Sequence, residues 1–86
     1  MAGSVKVELF EGTNARNNTR TTILKREDRP HLAVAFYACD VGAVRSMIEK
    51  AERERDLIPW YFAETPADVF TDLTKLGDYT LDIKDK

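Results

Sequence analysis

The chain has one cysteine, Cys39, and one histidine, His31, among its 86 residues. An internal disulfide is therefore excluded, whereas small secreted domains usually carry several. A zinc site built from clustered cysteines and histidines is excluded as well. If residues 32–39 form a strand, His31 and Cys39 lie roughly 26 Å apart, which is too far for a nucleophile and its base. We expect a reducing compartment and hence a cytoplasmic protein.

Long apolar runs and glycine-rich motifs are also missing. No stretch approaches the roughly 20 apolar residues that a membrane helix needs, so we expect no membrane contact. The four glycines are isolated, which excludes a phosphate-cradling loop. No pair of acids is set in contrasting environments, as general acid–base chemistry requires. The sequence therefore predicts no catalytic residue, no metal ligand and no cofactor, and we expect the protein not to be an enzyme.

The composition that remains is typical of one small folded domain. Hydrophobic residues make up 43% of the chain and charged residues 33%, with a net charge of −2. This balance favours a globular protein and gives no overall preference for a polyanionic partner. We expect a single domain over residues 1–86, with residues 1–4 and 84–86 frayed.

Alternating and amphipathic patterns predict most of the elements. Strands are expected at residues 5–10, 21–26, 32–39 and 79–84. Asp40 is a good N-cap for a helix over residues 41–55. One stripe of that helix is expected to enter the core, namely Val41, Val44, Met47, Ile48 and Ala51.

A second helix is predicted over residues 66–76. Thr65 has the character of an N-cap, Pro66 suits the first helical position, and Asp68 lies where a capping box places an acid. Gly77 would end this helix. Residues 57–63 are apolar, but Pro59 cannot donate to a strand ladder, so the pattern indicates extended backbone without deciding for a strand.

These elements predict an α+β fold, a two-layer sandwich with the order β-β-β-α-(β)-α-β. Two helices would pack on one face of a mainly antiparallel sheet of about four strands, because both need a surface for their apolar stripes. The other face of the sheet would be open to solvent.

Two features suggest a contact surface. Residues 11–20 contain only one apolar residue, Ala15, and are interpreted as a long polar loop, which in a small domain is typically functional or mobile. Residues 60–62 are three consecutive aromatics, a type enriched at binding hot spots. The predicted partner-contact residues are Asn14, Arg16, Asn17, Asn18, Arg20, Trp60 and Tyr61.

The leading hypothesis is a small non-catalytic protein-interaction module that docks on a larger protein as an inhibitor, adaptor or subunit. Inhibitors encoded by phages and mobile elements have this size and simplicity. The first alternative is a nucleic-acid-binding protein that uses the basic hairpin region 15–26. Its candidate residues are Arg16, Arg20, Lys25, Arg26 and Tyr37.

An enzyme of unrecognised type is the remaining alternative. The sequence does not decide between a monomer and a homodimer. A homodimer would form by edge-to-edge pairing of the strand that contains residues 21–25.

Overall fold

One helix packs on a mostly antiparallel sheet in the computed structural model. It describes residues 2–37, 40–60 and 65–85, and within them the side chains of residues 4–37, 40–57 and 65–83. The elements are, in chain order, β1 (Ala2–Asn14), β2 (Thr19–Arg26), β3 (Leu32–Phe36), α1 (Val41–Glu54), β4 (Leu57–Trp60), β5 (Thr65–Pro66), a single 3-10 turn (Ala67–Val69) and β6 (Phe70–Asp85).

The sheet has the order β4-β6-β1-β2-β3-β5, so the two longest strands, β1 and β6, lie side by side within it. β1 pairs antiparallel with β2, placing Leu9 opposite Leu24, and antiparallel with β6, placing Val5 opposite Leu81. β4 runs parallel to the end of β6, and β5 adds two residues beside β3. Ala2 pairs with Lys84, and the expected fraying of residues 1–4 and 84–86 stays a prediction.

The main core lies between α1 and one face of the sheet. Asp40 caps the helix as predicted, since its carboxylate accepts from the Ala43 N–H at 3.1 Å. The helix ends one residue earlier than predicted, with Arg55 in the left-handed region at φ 56°. Met47 was predicted to lie in the core but is 51% exposed. The core consists of Val7, Leu9, Leu24, Val34, Val44, Ile48, Ala51, Leu81 and Ile83.

The second face of the sheet was expected to be open, and the structure shows that part of it is covered. The Ala67 N–H donates to the His31 carbonyl near β3, and the Val69 carbonyl accepts from the Ala15 N–H at the other side of the sheet. The 3-10 turn therefore crosses this face. Beneath it Ile23 is fully buried, together with Ala33 and Phe70.

The predicted second helix over residues 66–76 is wrong. The capping residues Thr65 and Pro66 lead into one 3-10 turn, after which the chain is extended from Phe70 onwards. β6 then contains two irregularities in its pairing with β1, near Leu76 and near Asp72. Each extra residue shifts the side chains of a strand to the other face, so bulges give apolar residues a spacing that resembles a helix. Within residues 2–37, 40–60 and 65–85 the fold has one α-helix, and its sheet has five strands of four or more residues plus the two-residue β5.

The interpretation of residues 11–20 as a long loop is also wrong. β1 continues to Asn14 and β2 begins at Thr19, so the connection is only four residues long. The polar ends of these two strands differ in exposure, since Thr19 and Arg20 are exposed whereas Gly12 and Asn14 are buried. Of the undecided apolar segment 57–63, residues 57–60 form β4, and residues 61–63 lie outside the described residues.

Candidate functional site

The turn between β1 and β2, residues 15–18, is called here the hairpin tip. All four of its residues are exposed. The Asn18 N–H donates to the Asn14 carbonyl at 2.7 Å, and the Ala15 N–H donates to the Val69 carbonyl at 2.9 Å. Asn18 has a φ of 59°, a left-handed conformation that asparagine tolerates better than most residues. The tip is therefore fixed at both its ends.

Asparagine side chains complete the turn. Asn14 is 4% exposed, and its Oδ1 accepts from the Arg16 N–H at 2.9 Å. The Oδ1 of Asn17 accepts from the N–H of Thr19 at 3.2 Å and from its hydroxyl at 2.6 Å. Such local bonds to side-chain amides are the usual means of stabilising a turn. The three predicted contact asparagines thus have structural roles in the turn.

Arg20 ties the hairpin to the neighbouring strand β6. Its Nη1 donates to the Thr13 hydroxyl at 3.0 Å and to the Asp72 carbonyl at 3.1 Å. Its Nη2 donates to the Glu11 carboxylate at 3.1 Å and to the Glu11 carbonyl at 3.3 Å. A planar guanidinium can hold several acceptors at once, which an ammonium cannot do in the same geometry. Arg20 is therefore a clamp across three strands, whereas the sequence suggested a free contact residue.

Arg16 differs from Asn14, Asn17 and Arg20, whose side chains are hydrogen-bonded within the hairpin. Its backbone N–H is used in the turn, but the described part of the chain offers its guanidinium no hydrogen-bond or ion-pair partner. The residue is exposed within the turn that joins β1 to β2. The hairpin tip therefore presents one cation, with its donors available, on a backbone held by hydrogen bonds.

The residues of the nucleic-acid alternative do not gather on one surface. Successive strand residues point to opposite faces, and Leu24 marks the helix side, so Arg20 and Arg26 lie on that side while Lys25 lies on the other. The Lys25 Nζ sits 5.7 Å from the centre of the Phe10 ring.

Arg26 is almost fully buried and hydrogen-bonded to Asp28, and this bond lowers the pKa of the Asp28 carboxyl below its ordinary value. Tyr37 is exposed just after β3.

The aromatic candidates are only partly covered by the structure. Trp60 is the last residue of β4, and its side chain is outside the described residues, as is the whole of Tyr61. The sequence did not reveal the hydrogen bond from Arg20 to the Asp72 carbonyl or the one from the Ala15 N–H to the Val69 carbonyl, because each joins residues more than 50 positions apart. The asparagines at the turn were the signal that predicts a tight hairpin.

Neither a metal-binding cluster nor a membrane-spanning helix occurs among the described residues. No group of three or more histidine, cysteine, aspartate and glutamate side chains could hold a metal ion there. Within the same residues, no helix combines the length and the apolar character that crossing a bilayer requires.

No protein-family model, curated protein or solved structure matches the chain. The hairpin tip is therefore the candidate site on geometry alone.

Proposed function

We propose that this protein is a small non-catalytic interaction module, an inhibitor, adaptor or subunit, that docks on a larger protein through its hairpin tip. The observation that carries the proposal is the contrast between Arg16 and its neighbours on the tip. The turn engages the side chains of Asn14 and Asn17 and the backbone of Asn18 in its own hydrogen bonds, and it leaves the Arg16 guanidinium exposed as the one cation of the tip. A contact residue on a preorganised turn loses little conformational entropy when it binds.

The chemistry of Arg16 defines the partner. A guanidinium binds carboxylates in a bidentate fork, and arginine is enriched among the residues that dominate protein interfaces. We therefore expect a partner with an acidic pocket that admits the narrow tip of a two-stranded hairpin. The lone cysteine supports a reducing, cytoplasmic setting for this contact.

Nucleic acid is a less suitable partner for this geometry. Affinity for phosphate backbones grows with the number of cations that reach them together. Arg26 is buried beside Asp28, and Arg20 is paired with Glu11, so neither side chain presents a free cation beside Arg16. The alternative predicts that an oligonucleotide binds at low salt and that Arg16→Glu abolishes this binding. That result would contradict the proposal.

The proposal also favours a monomer as the docking species. β2 was expected to offer a free edge to a second copy, but it lies between β1 and β3. On the side away from β1, residues 71–78 of β6 have no described strand beside them and form an edge. This edge is bulged and carries Asp72 and Lys75. Bulges and charges of this kind protect edges from pairing. Light scattering of the purified chain measures its mass in solution, and we expect the mass of a monomer.

The test compares two exposed cations with the same charge change. The wild-type chain, Arg16→Glu and Lys50→Glu are immobilised, and proteins retained from a lysate of the source cell are identified by mass spectrometry. Lys50 lies on the exposed side of α1, away from the hairpin. We expect one stoichiometric partner on the wild type and on Lys50→Glu that is absent from Arg16→Glu.

The partner is then purified and its affinity measured by calorimetry. We expect Arg16→Ala to weaken binding by about 30-fold, which is the size of a hot-spot effect near 2 kcal/mol. Equal affinities of Arg16→Ala and the wild type would overturn the proposed site.

A further inference from the structure

A groove of about 570 Å³ lies beside the 3-10 turn, at the edge of the sheet where β3 pairs with β5. Pro30, Leu32 and Pro66 give it apolar walls, and Ala67 of the turn completes them. Its volume is in the range of small binding sites, and apolar walls of this size accommodate one or two aliphatic side chains. The groove is built by the same segment that ties the hairpin tip to the rest of the fold through Val69.

Two groups at the groove are suited to a carboxylate. Lys25, from β2, lies directly opposite Glu8 in β1, but the Glu8 carboxylate pairs with Lys75 at 3.0 Å instead. The Lys25 ammonium is left above the Phe10 ring with no ion-pair partner among the described residues. His31 adds an exposed imidazole at the end of the turn that leads into β3.

Among the described residues that line this groove, Asp68 is the one acid. It comes from the 3-10 turn, whereas the two basic groups come from β2 and the residue before β3. A carboxylate bound in the groove is therefore attracted by the Lys25 ammonium, can accept a hydrogen bond from the His31 imidazole, and is repelled by Asp68. This arrangement sets the orientation of the ligand.

We infer that the groove is a second contact of the docking surface and binds an aliphatic side chain of the protein partner with a carboxylate next to it. The inference rests on the proposed docking function, and it adds the chemistry of a second partner segment. Arg16 and Lys25 both carry a positive charge, so one acidic surface of the partner is complementary to both.

The two contacts fit within one interface. From Thr19 to Lys25, β2 advances six residues, or roughly 20 Å. A standard interface covers about 800 Å² on each partner, equivalent to a square roughly 28 Å on a side. The hairpin tip and the groove can therefore meet one partner at the same time.

The test uses a defined probe rather than the unidentified partner. Acetyl-Glu-Leu-Glu-amide is titrated into ¹⁵N-labelled protein, up to about 10 mM because so small a ligand binds weakly, and amide shifts are recorded by NMR. The control peptide is acetyl-Lys-Leu-Lys-amide. We expect saturable shifts at Leu32 and Ala67 with the acidic peptide only. No shifts at these amides, or equal shifts with both peptides, would overturn the inference.

Variants separate the contributions of the charged groups. Lys25→Gln and His31→Gln are each expected to weaken binding of the acidic peptide several-fold. Asp68→Asn is expected to strengthen this binding. Lys6→Gln, an exposed lysine on the same face but outside the groove, should leave the shifts unchanged. If Lys6→Gln has the same effect as Lys25→Gln, the binding is a general charge effect and the inference fails.

The outcomes for the groove and for the hairpin tip are independent. Absent peptide shifts together with Arg16-dependent capture of a partner would overturn the groove and retain the proposed function. Peptide shifts in the groove together with Arg16-independent capture would overturn the role of the tip.

Discussion

Arg26 and Asp28 form an ion pair in which the two side chains differ in exposure, 2% for the cation and 52% for the carboxylate. The Arg26 Nε donates to Oδ1 at 2.9 Å, and its Nη2 donates to Oδ2 at 2.7 Å. Arg26 lies opposite Val7 in the ladder of β1 and β2, beside the main core. The carboxylate thus neutralises a buried charge while staying in contact with water.

Asp28→Asn is expected to lower the free energy of unfolding by about 2 kcal/mol at neutral pH, because it removes a hydrogen-bonded charge from a buried arginine. Urea denaturation followed by circular dichroism measures the change. Asp56→Asn, at an exposed aspartate between α1 and β4, is the control and should change stability little. Equal stability of Asp28→Asn and the wild type would show that this pair does not stabilise the fold.

The same pair predicts a pH dependence. The hydrogen bond from Arg26 is the main reason that the pKa of Asp28 lies below its ordinary value of 3.8. A lowered pKa in the folded state stabilises the protein fully above 3.8, and this stabilisation is lost as the pH falls through the folded-state pKa. The difference in unfolding free energy between the wild type and Asp28→Asn should therefore shrink below pH 3.8. A difference that is constant down to the lowest pH would contradict this assignment.

Arg20→Lys is expected to loosen the hairpin while leaving the rest of the fold intact. The ammonium cannot hold Thr13, Glu11 and the Asp72 carbonyl together, so global stability should fall by only about 1 kcal/mol. The more specific readout is hydrogen exchange of the Asn18 amide, which is bonded to the Asn14 carbonyl. We expect faster exchange there in Arg20→Lys and no change in Arg16→Lys. Unchanged Asn18 protection in Arg20→Lys would show that the clamp does not order the tip.

The elements that could be predicted from sequence are those whose signals are local. Asp40 and the apolar stripe of α1 are close together in the sequence, so capping and periodicity were sufficient for the start of that helix and placed its end within one residue. Met47 was assigned to the core wrongly because periodicity gives the direction of a side chain but not how far the sheet extends beneath it. The strands predicted at 5–10, 21–26 and 79–84 belong to longer strands whose remaining residues do not alternate between apolar and polar.

The segment at residues 66–76 shows why the rest could not be predicted. Thr65, Pro66 and Asp68 are good helix-start signals, and they do begin one 3-10 turn. Whether the chain then continues as a helix depends on β1, which offers a long partner on which β6 can pair. Such tertiary pairing overrides local propensity. The clamp from Arg20 to Asp72 could not be predicted for the same reason, since it depends on that pairing.

Gly12→Ala is expected to destabilise the protein by about 1–3 kcal/mol, because a Cβ there enters a site that is already filled. It would lie 2.6 Å from Leu73 Cδ2 and 3.2 Å from the Thr71 carbonyl oxygen. In the background of Leu73→Ala the same substitution should be less destabilising, with a coupling of at least about 0.5 kcal/mol. Additive effects of the two substitutions would contradict the contact between Leu73 and Gly12.

Thr74→Ala distinguishes a strand from a helix at residues 66–76. Thr74 is exposed and lies opposite Glu11 between the two irregularities of β6. Threonine is favoured over alanine in strands, by up to about 1 kcal/mol, whereas alanine is favoured over threonine in helices by roughly 0.5 kcal/mol. The structure therefore predicts that Thr74→Ala lowers the unfolding free energy. Ser46→Ala, at an exposed position of α1, should raise it, because there the helix preference applies. In urea denaturation, this fold therefore predicts that Thr74→Ala lowers the unfolding free energy and that Ser46→Ala raises it. An increase of the unfolding free energy in both variants would instead mean that residues 66–76 are helical.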